Sequence, residues 1–126
     1  MYTVMRFRNS DADGIRRLRD EAVRRFGEDR VGPLSGETFS CDVSHASEWT
    51  SHQEEIVAYV THNASWIREC KGSGTEDGVE VWIDIALFPK DRGPGIFFCI
   101  SFSRKLLHIL LGVGVLMEVT VYKGTK

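Results

Sequence analysis

Three runs of alternating apolar residues in the C-terminal half constrain this chain more than any other feature. Val79, Val81, Ile83, Ile85 and Leu87 form the first run, Ile96, Phe98, Ile100 and Phe102 the second, and Val115, Met117, Val119 and Val121 the third. Successive side chains of a strand point to opposite faces, so each run specifies a strand with one wholly apolar face. The residues between them are Glu80, Trp82, Asp84, Phe97, Cys99, Ser101, Glu118, Thr120 and Tyr122. They make a second face that is mixed, acidic and aromatic, as on a sheet with one half-exposed side.

The rest of the chain supplies the elements that such a sheet needs. Tyr2 to Arg8 can form a strand, although its alternation is poor. Asn9, Ser10 and Asp11 offer helix caps, and Ile15, Leu18, Ala22, Val23 and Phe26 recur at helical spacing until Gly27, which suits a stop. Residues 28–37 read as a loop. Phe39, Cys41 and Val43 then alternate with polar residues as a short strand. Ser51 and Glu54 have the spacing of a capping box, which predicts a helix over 51–70 with Ile56, Tyr59 or Val60, Asn63 or Ala64, and Ile67 inside. A glycine-rich connection follows, then strand 79–88, a loop over 89–95 and strand 96–102. Ser103 can cap a helix over 104–111, which Gly112 or Gly114 can end, and strand 115–122 closes the chain.

From residue 37 onward this order is β-α-β-β-α-β, the ferredoxin-like arrangement. The expectation is a single α+β domain over residues 1–126, its antiparallel sheet carrying helices on one face, with an N-terminal β-α extension. Segments 38–44 and 96–102 would pair at its centre. The N-terminal helix, with Arg16, Arg17, Arg24 and Arg25 on its outer side, could cover the second sheet face and match the acids there. Otherwise that face is open to a partner or a second subunit.

Composition narrows the function classes. The net charge of −2 divides into +2 over residues 1–36 and −4 over residues 37–126, so the main body is acidic and a poor fit for nucleic acid. The three cysteines, Cys41, Cys70 and Cys99, lack Cys-x-x-Cys spacing, and no secretory signal is visible. Reduced thiols in a cytoplasmic protein are expected. No apolar run reaches the length of a membrane span.

No chemical motif emerges. Cys41, Asp42, His45, Glu48 and His52 contain metal-ligating types, yet Cys41 and Asp42 lie on opposite faces of one strand, and surface histidines in a capping loop are the expectation. Cys99 with His108 could serve a small enzyme only if a base reached the thiol, and acidic neighbours raise a thiol pKa. Asp84 and Glu118 could act as acid and base but are expected on distant strands. Lys71-Gly-Ser-Gly follows a helix, the wrong order for a phosphate loop. Trp82, Phe97 and Tyr122 could stack on RNA bases, but Asp42, Asp84 and Glu118 would repel phosphate. The pattern instead points to a partner-binding patch of Trp82, Asp84, Phe97, Glu118 and Tyr122, with aromatic anchors and steering carboxylates. No cofactor or metal is expected. A homodimer is compatible with exposed strand edges, and a small-molecule binder or minor enzyme on the same face is the alternative.

The run Ser47-Glu-Trp-Thr-Ser-His-Gln-Glu-Glu-Ile with Val57–Tyr59, the alternating Val79–Leu87, and Ser103-x-x-Leu-Leu through Gly112 into Val115–Tyr122 resemble small bacterial α+β domains of the toxin-immunity type. The resemblance spans roughly residues 40–123. Such families carry a Gly- and Pro-containing opening segment and tryptophans before the first long helix, of which this chain keeps fragments. The resemblance implies a non-enzymatic cytoplasmic protein that binds and blocks a toxin, with no catalytic residues to carry over.

Overall fold

The computed structural model describes residues 1–72, 78–88 and 101–122. In order, the elements are β1 (Tyr2–Arg8), α1 (Ala12–Phe26), a 3-10 turn (Glu28–Arg30), β2 (Thr38–Ser44), α2 (Trp49–His62), α3 (Ala64–Lys71), β3 (Glu80–Leu87), α4 (Arg104–Val113) and β4 (Leu116–Val121). The sheet runs β2-β1-β3-β4. β1 is antiparallel to both of its neighbours, and β4 is parallel to β3. The fold is therefore α+β with a mixed sheet, and the ferredoxin-like order does not hold.

Three corrections follow from this topology. β1 is no extension: it lies at the centre of the sheet, with Met5 opposite both Cys41 and Ile83. Segment 38–44 is an edge strand rather than a central one, paired with β1 alone among the named strands. The two neighbours of β3 are β1 and β4, and β3 reaches its parallel partner through α4, as parallel pairs require a crossover. Most of the expected strand 96–102, including Phe97 and Cys99, lies outside the described residues, while Ser101 and Phe102 are not in a strand.

Alternation sets which side chains enter the core. Met5 and Phe7 of β1, Phe39 and Cys41 of β2, and Val81, Ile83, Ile85 and Leu87 of β3 all point to one face. They pack with Ile15, Leu18 and Ala22 of α1, Ile56 and Val60 of α2, Trp66 and Ile67 of α3, and Leu106, Leu110 and Val113 of α4. All four helices thus share one side of the sheet. α1 does not cover the second face, contrary to one expectation. Three of its five arginines are engaged locally: Arg16 with Asp13, Arg19 with Glu28 and the Gly32 carbonyl, and Arg25 with Asn63 and over the Trp66 ring.

The expected helix over 51–70 is two helices. α2 begins at Trp49, two residues before the anticipated capping box, and Glu48 at its N-cap makes no side-chain hydrogen bond. The break falls at Asn63, whose side chain donates to the Tyr59 carbonyl and accepts from Arg25 Nε. α4 follows its local signals closely. Ser103 Oγ accepts from the Leu106 amide at 3.1 Å, and Gly114 ends the helix in the left-handed region at φ 77°.

Candidate functional site

The sheet face opposite the helices is built from the even-numbered residues of its strands. Pairing registers give its rows directly. Asp42, Val4, Asp84 and Glu118 lie side by side across the four strands, and Ser40, Arg6, Trp82 and Leu116 form the next row. The carboxylate pair Asp84 and Glu118, expected on distant strands, sits on adjacent ones in direct register. Asp84 is nevertheless committed to the fold. It is buried, accepts from Arg6 Nε at 2.7 Å, and receives the Thr120 hydroxyl at 3.4 Å. A carboxylate held on both oxygens by neighbours is a structural acceptor, not an acid or base waiting for substrate.

Arg6 matches Asp84 and Arg8 matches Glu37 at 3.2 Å, which leaves Glu80 and Glu118 outside any ion pair among the described residues. Trp82 is half-buried beside them, and Leu116 is 77% exposed. Arg8, Trp82, Leu116 and Glu118 contribute to an open groove of about 660 Å³. At the other end of the face, Tyr122 stacks on Phe88 with ring centres 4.8 Å apart, and Phe88 meets Tyr2 at 5.8 Å. Burial raises the Tyr2 phenol pKa, with the neighbouring Tyr122 adding to the shift.

Of the five sequence-derived residues, the sheet therefore brings Trp82, Asp84 and Glu118 together and places Tyr122 at one end. Phe97 lies outside the described residues. Sequence reasoning missed Arg6, Arg8, Tyr2, Phe88 and Leu116. The signal for three of them was the parity of β1, where Tyr2, Arg6 and Arg8 share a face with Val4.

The histidine cluster differs more sharply from expectation. His52 is fully buried, not a surface residue of a capping loop. Its Nδ1 lies 3.0 Å from both the Ala46 carbonyl and Ser44 Oγ, and its Nε2 lies 2.5 Å from Thr3 Oγ1. A carbonyl can only accept, so Nδ1 carries the proton and Nε2 accepts from the Thr3 hydroxyl. Ser44 in turn donates to Glu55 Oε1 at 3.1 Å and accepts from the Ala46 amide. Burial lowers the His52 pKa, the Ala46 contact opposing it.

A bulge creates this network. Thr3 pairs with Ser44 and Val4 with Asp42, so Val43 is the extra residue, and Ser44 turns inward where strict alternation would turn it out. Each polar atom has a partner and the cluster lies under the helices, so it is a core fastening and not a nucleophile with its base.

The two described thiols are equally unsuited to chemistry. Cys41 and Cys70 are buried, and desolvation pushes each pKa up to about 12. His108 is exposed on α4, and its suggested partner Cys99 lies outside the described residues. His45 stands 3.5 Å from Asp42 at the surface, and no group of three or more metal-ligating side chains gathers among the described residues. No helix among them is long and apolar enough to cross a membrane. No family model, curated protein or solved structure matches this chain.

Proposed function

We propose that this chain is a non-enzymatic, cytoplasmic protein-binding module of the immunity type, which blocks a protein partner (a bacterial toxin) through its open sheet face. The observation that carries this reading is the composition of the face opposite the four helices. It combines a half-buried Trp82, an exposed Leu116, and the carboxylates Glu80 and Glu118 held outside any described ion pair. Large side chains on a rigid sheet supply contact area at low entropic cost, and unpaired carboxylates steer a basic partner. Arg6 and Asp84 fix the centre of the platform with a 2.7 Å bond that needs no ligand.

The chemistry expected of a small enzyme has less support, because Cys41 and Cys70 are buried with raised pKa values and His52 is internally satisfied. Nucleic acid fits poorly beside Glu80 and Glu118.

The test is coexpression with the protein encoded beside this chain's gene, scored by growth rescue and by a 1:1 complex on gel filtration. Trp82→Ala should weaken that complex about tenfold or more, the cost of one aromatic anchor. Tyr122→Ala should weaken it less, since Tyr122 lies at the end of the face. Both variants should remain folded by circular dichroism. Wild-type affinity in folded Trp82→Ala would remove the face from the recognition mechanism.

A further inference from the structure

The two edges of the sheet are treated differently. β2 is screened along its outer side by the preceding loop. Val31 bridges to Cys41, Ser35 to Thr38, and the Gly32 amide donates to the Ser40 carbonyl at 2.8 Å. β4 has no such cover among the described residues. Its sequence, Leu-Met-Glu-Val-Thr-Val, holds one charge and no proline, and so lacks the usual guards against edge pairing.

The exposed apolar side chains gather on the same side. All six large hydrophobic residues exposed among the described residues, Phe88, Leu107, Leu111, Leu116, Val121 and Tyr122, belong to the stretch 88–122. Leu107 and Leu111 are one turn apart on α4. Lys105, on the opposite flank of that helix, lines a groove with α2 residues, so the leucines lie on the flank away from α2, over the β4 side.

We infer that the occupant of the β4 edge is a second copy of this chain, paired antiparallel about a two-fold axis at Val119. With the overlap of the six-residue strand kept as large as possible, which leaves axes at Glu118 or Val119, three constraints set the register. Tyr122 N–H donates to the Leu87 carbonyl, so even-numbered amides of β4 face β3, and those of Met117, Val119 and Val121 face outward. Two-fold pairing must oppose residues of the same parity. An axis at Glu118 would place two carboxylates directly opposite each other, which is destabilising. The axis at Val119 sets Glu118 against Thr120, Met117 against Val121, and Leu116 against Tyr122. It forms about six N–H···O bonds and covers the exposed apolar residues of β4. Leu107 and Leu111 extend the contact beyond the strands toward the area that a stable two-fold interface needs. The dimer joins two open faces into one continuous eight-stranded surface and does not depend on what that surface binds.

Light scattering on gel filtration, over a concentration series of the full chain, tests this. The expected species is a dimer that dissociates on dilution. Val119→Pro removes an outward amide without touching the β3 ladder, a change that edge strands tolerate. It should weaken the dimer by roughly tenfold or more, because each copy loses a hydrogen bond. Leu111→Glu guards against misfolding as an explanation: the side chain is 81% exposed, so the fold is indifferent to it, and the dimer should again weaken. A wild-type monomer at every concentration overturns the inference. So does a dimer that both folded variants leave unchanged.

Discussion

Replacing His52 by Phe tests the logic of the buried network most directly. The ring is kept, so little volume is lost, but three polar contacts disappear. The Thr3 hydroxyl, on a residue with no exposure, loses its acceptor, and the Ala46 carbonyl loses its donor. Ser44 keeps Glu55 and the Ala46 amide and is less affected. An unsatisfied buried group costs about 1–3 kcal/mol, so the two together imply roughly 2–6 kcal/mol. At about 2.1 cal/mol/K of unfolding entropy per residue, this corresponds to a fall of roughly 8–23 °C in Tm, read by calorimetry or circular dichroism.

A second substitution isolates the cause. Thr3→Val in the His52→Phe background removes the stranded hydroxyl at nearly constant shape, so the double variant should be more stable than His52→Phe alone by about 1 kcal/mol or more. The wild type should also show a pH signature. The folded His52 pKa lies below its unfolded value of about 6.5, so in that window the unfolded chain binds more protons. Stability contributed by neutral His52 is present above about pH 6.5 and is lost as pH falls toward the folded pKa. His52→Phe abolishes that part of the slope. A Tm loss under about 3 °C, or a double variant less stable than the single, would show that the polar contacts carry little of the fold.

Two further outcomes are expected. Cys41 and Cys70, with pKa values near 12 in a buried setting, should resist iodoacetamide at pH 8 and become labelled only on denaturation, as peptide mapping would show; fast native labelling of either contradicts the core packing. Gly114→Ala should cost about 1 kcal/mol, a fall of roughly 3–4 °C in Tm, because φ is 77° there. The Lys71 ammonium that the new methyl would meet can swing aside, so a loss several times larger would mean that the Lys71 contact with the Gly114 carbonyl carries more than its exposed position suggests.

Local structure was legible where one signal decided it. The apolar period of α1, the alternation of β3 and β4, and the Ser103 and Gly114 caps each act within a turn or two, and each element stands where its signal lies. Strand order was not legible, because alternation says which face a residue takes but not which strand lies beside it. One clue was present. A strand, a helix and a strand in succession permit a parallel crossover, which is how β3, α4 and β4 connect. The Ser44 site was hidden for another reason: a bulge inserts one residue and reverses the parity beyond it, so a period-two reading sends the serine to the wrong face.

The poor alternation of β1 has a physical explanation that ties the face to the core. A central strand is covered on both sides by its neighbours' side chains, so Val4 is buried on the open face although it faces away from the helices. The same strand sends Thr3 inward to His52, Met5 and Phe7 into the apolar core, and Arg6 outward to Asp84. Residues that look disordered in pattern are each assigned to a different partner. β2 and β3 meet only through β1, so the rows that place Asp42 and Glu118 on one platform exist because this N-terminal strand is paired on both sides. The candidate face is a product of that central strand as much as of the C-terminal runs that first announced a sheet.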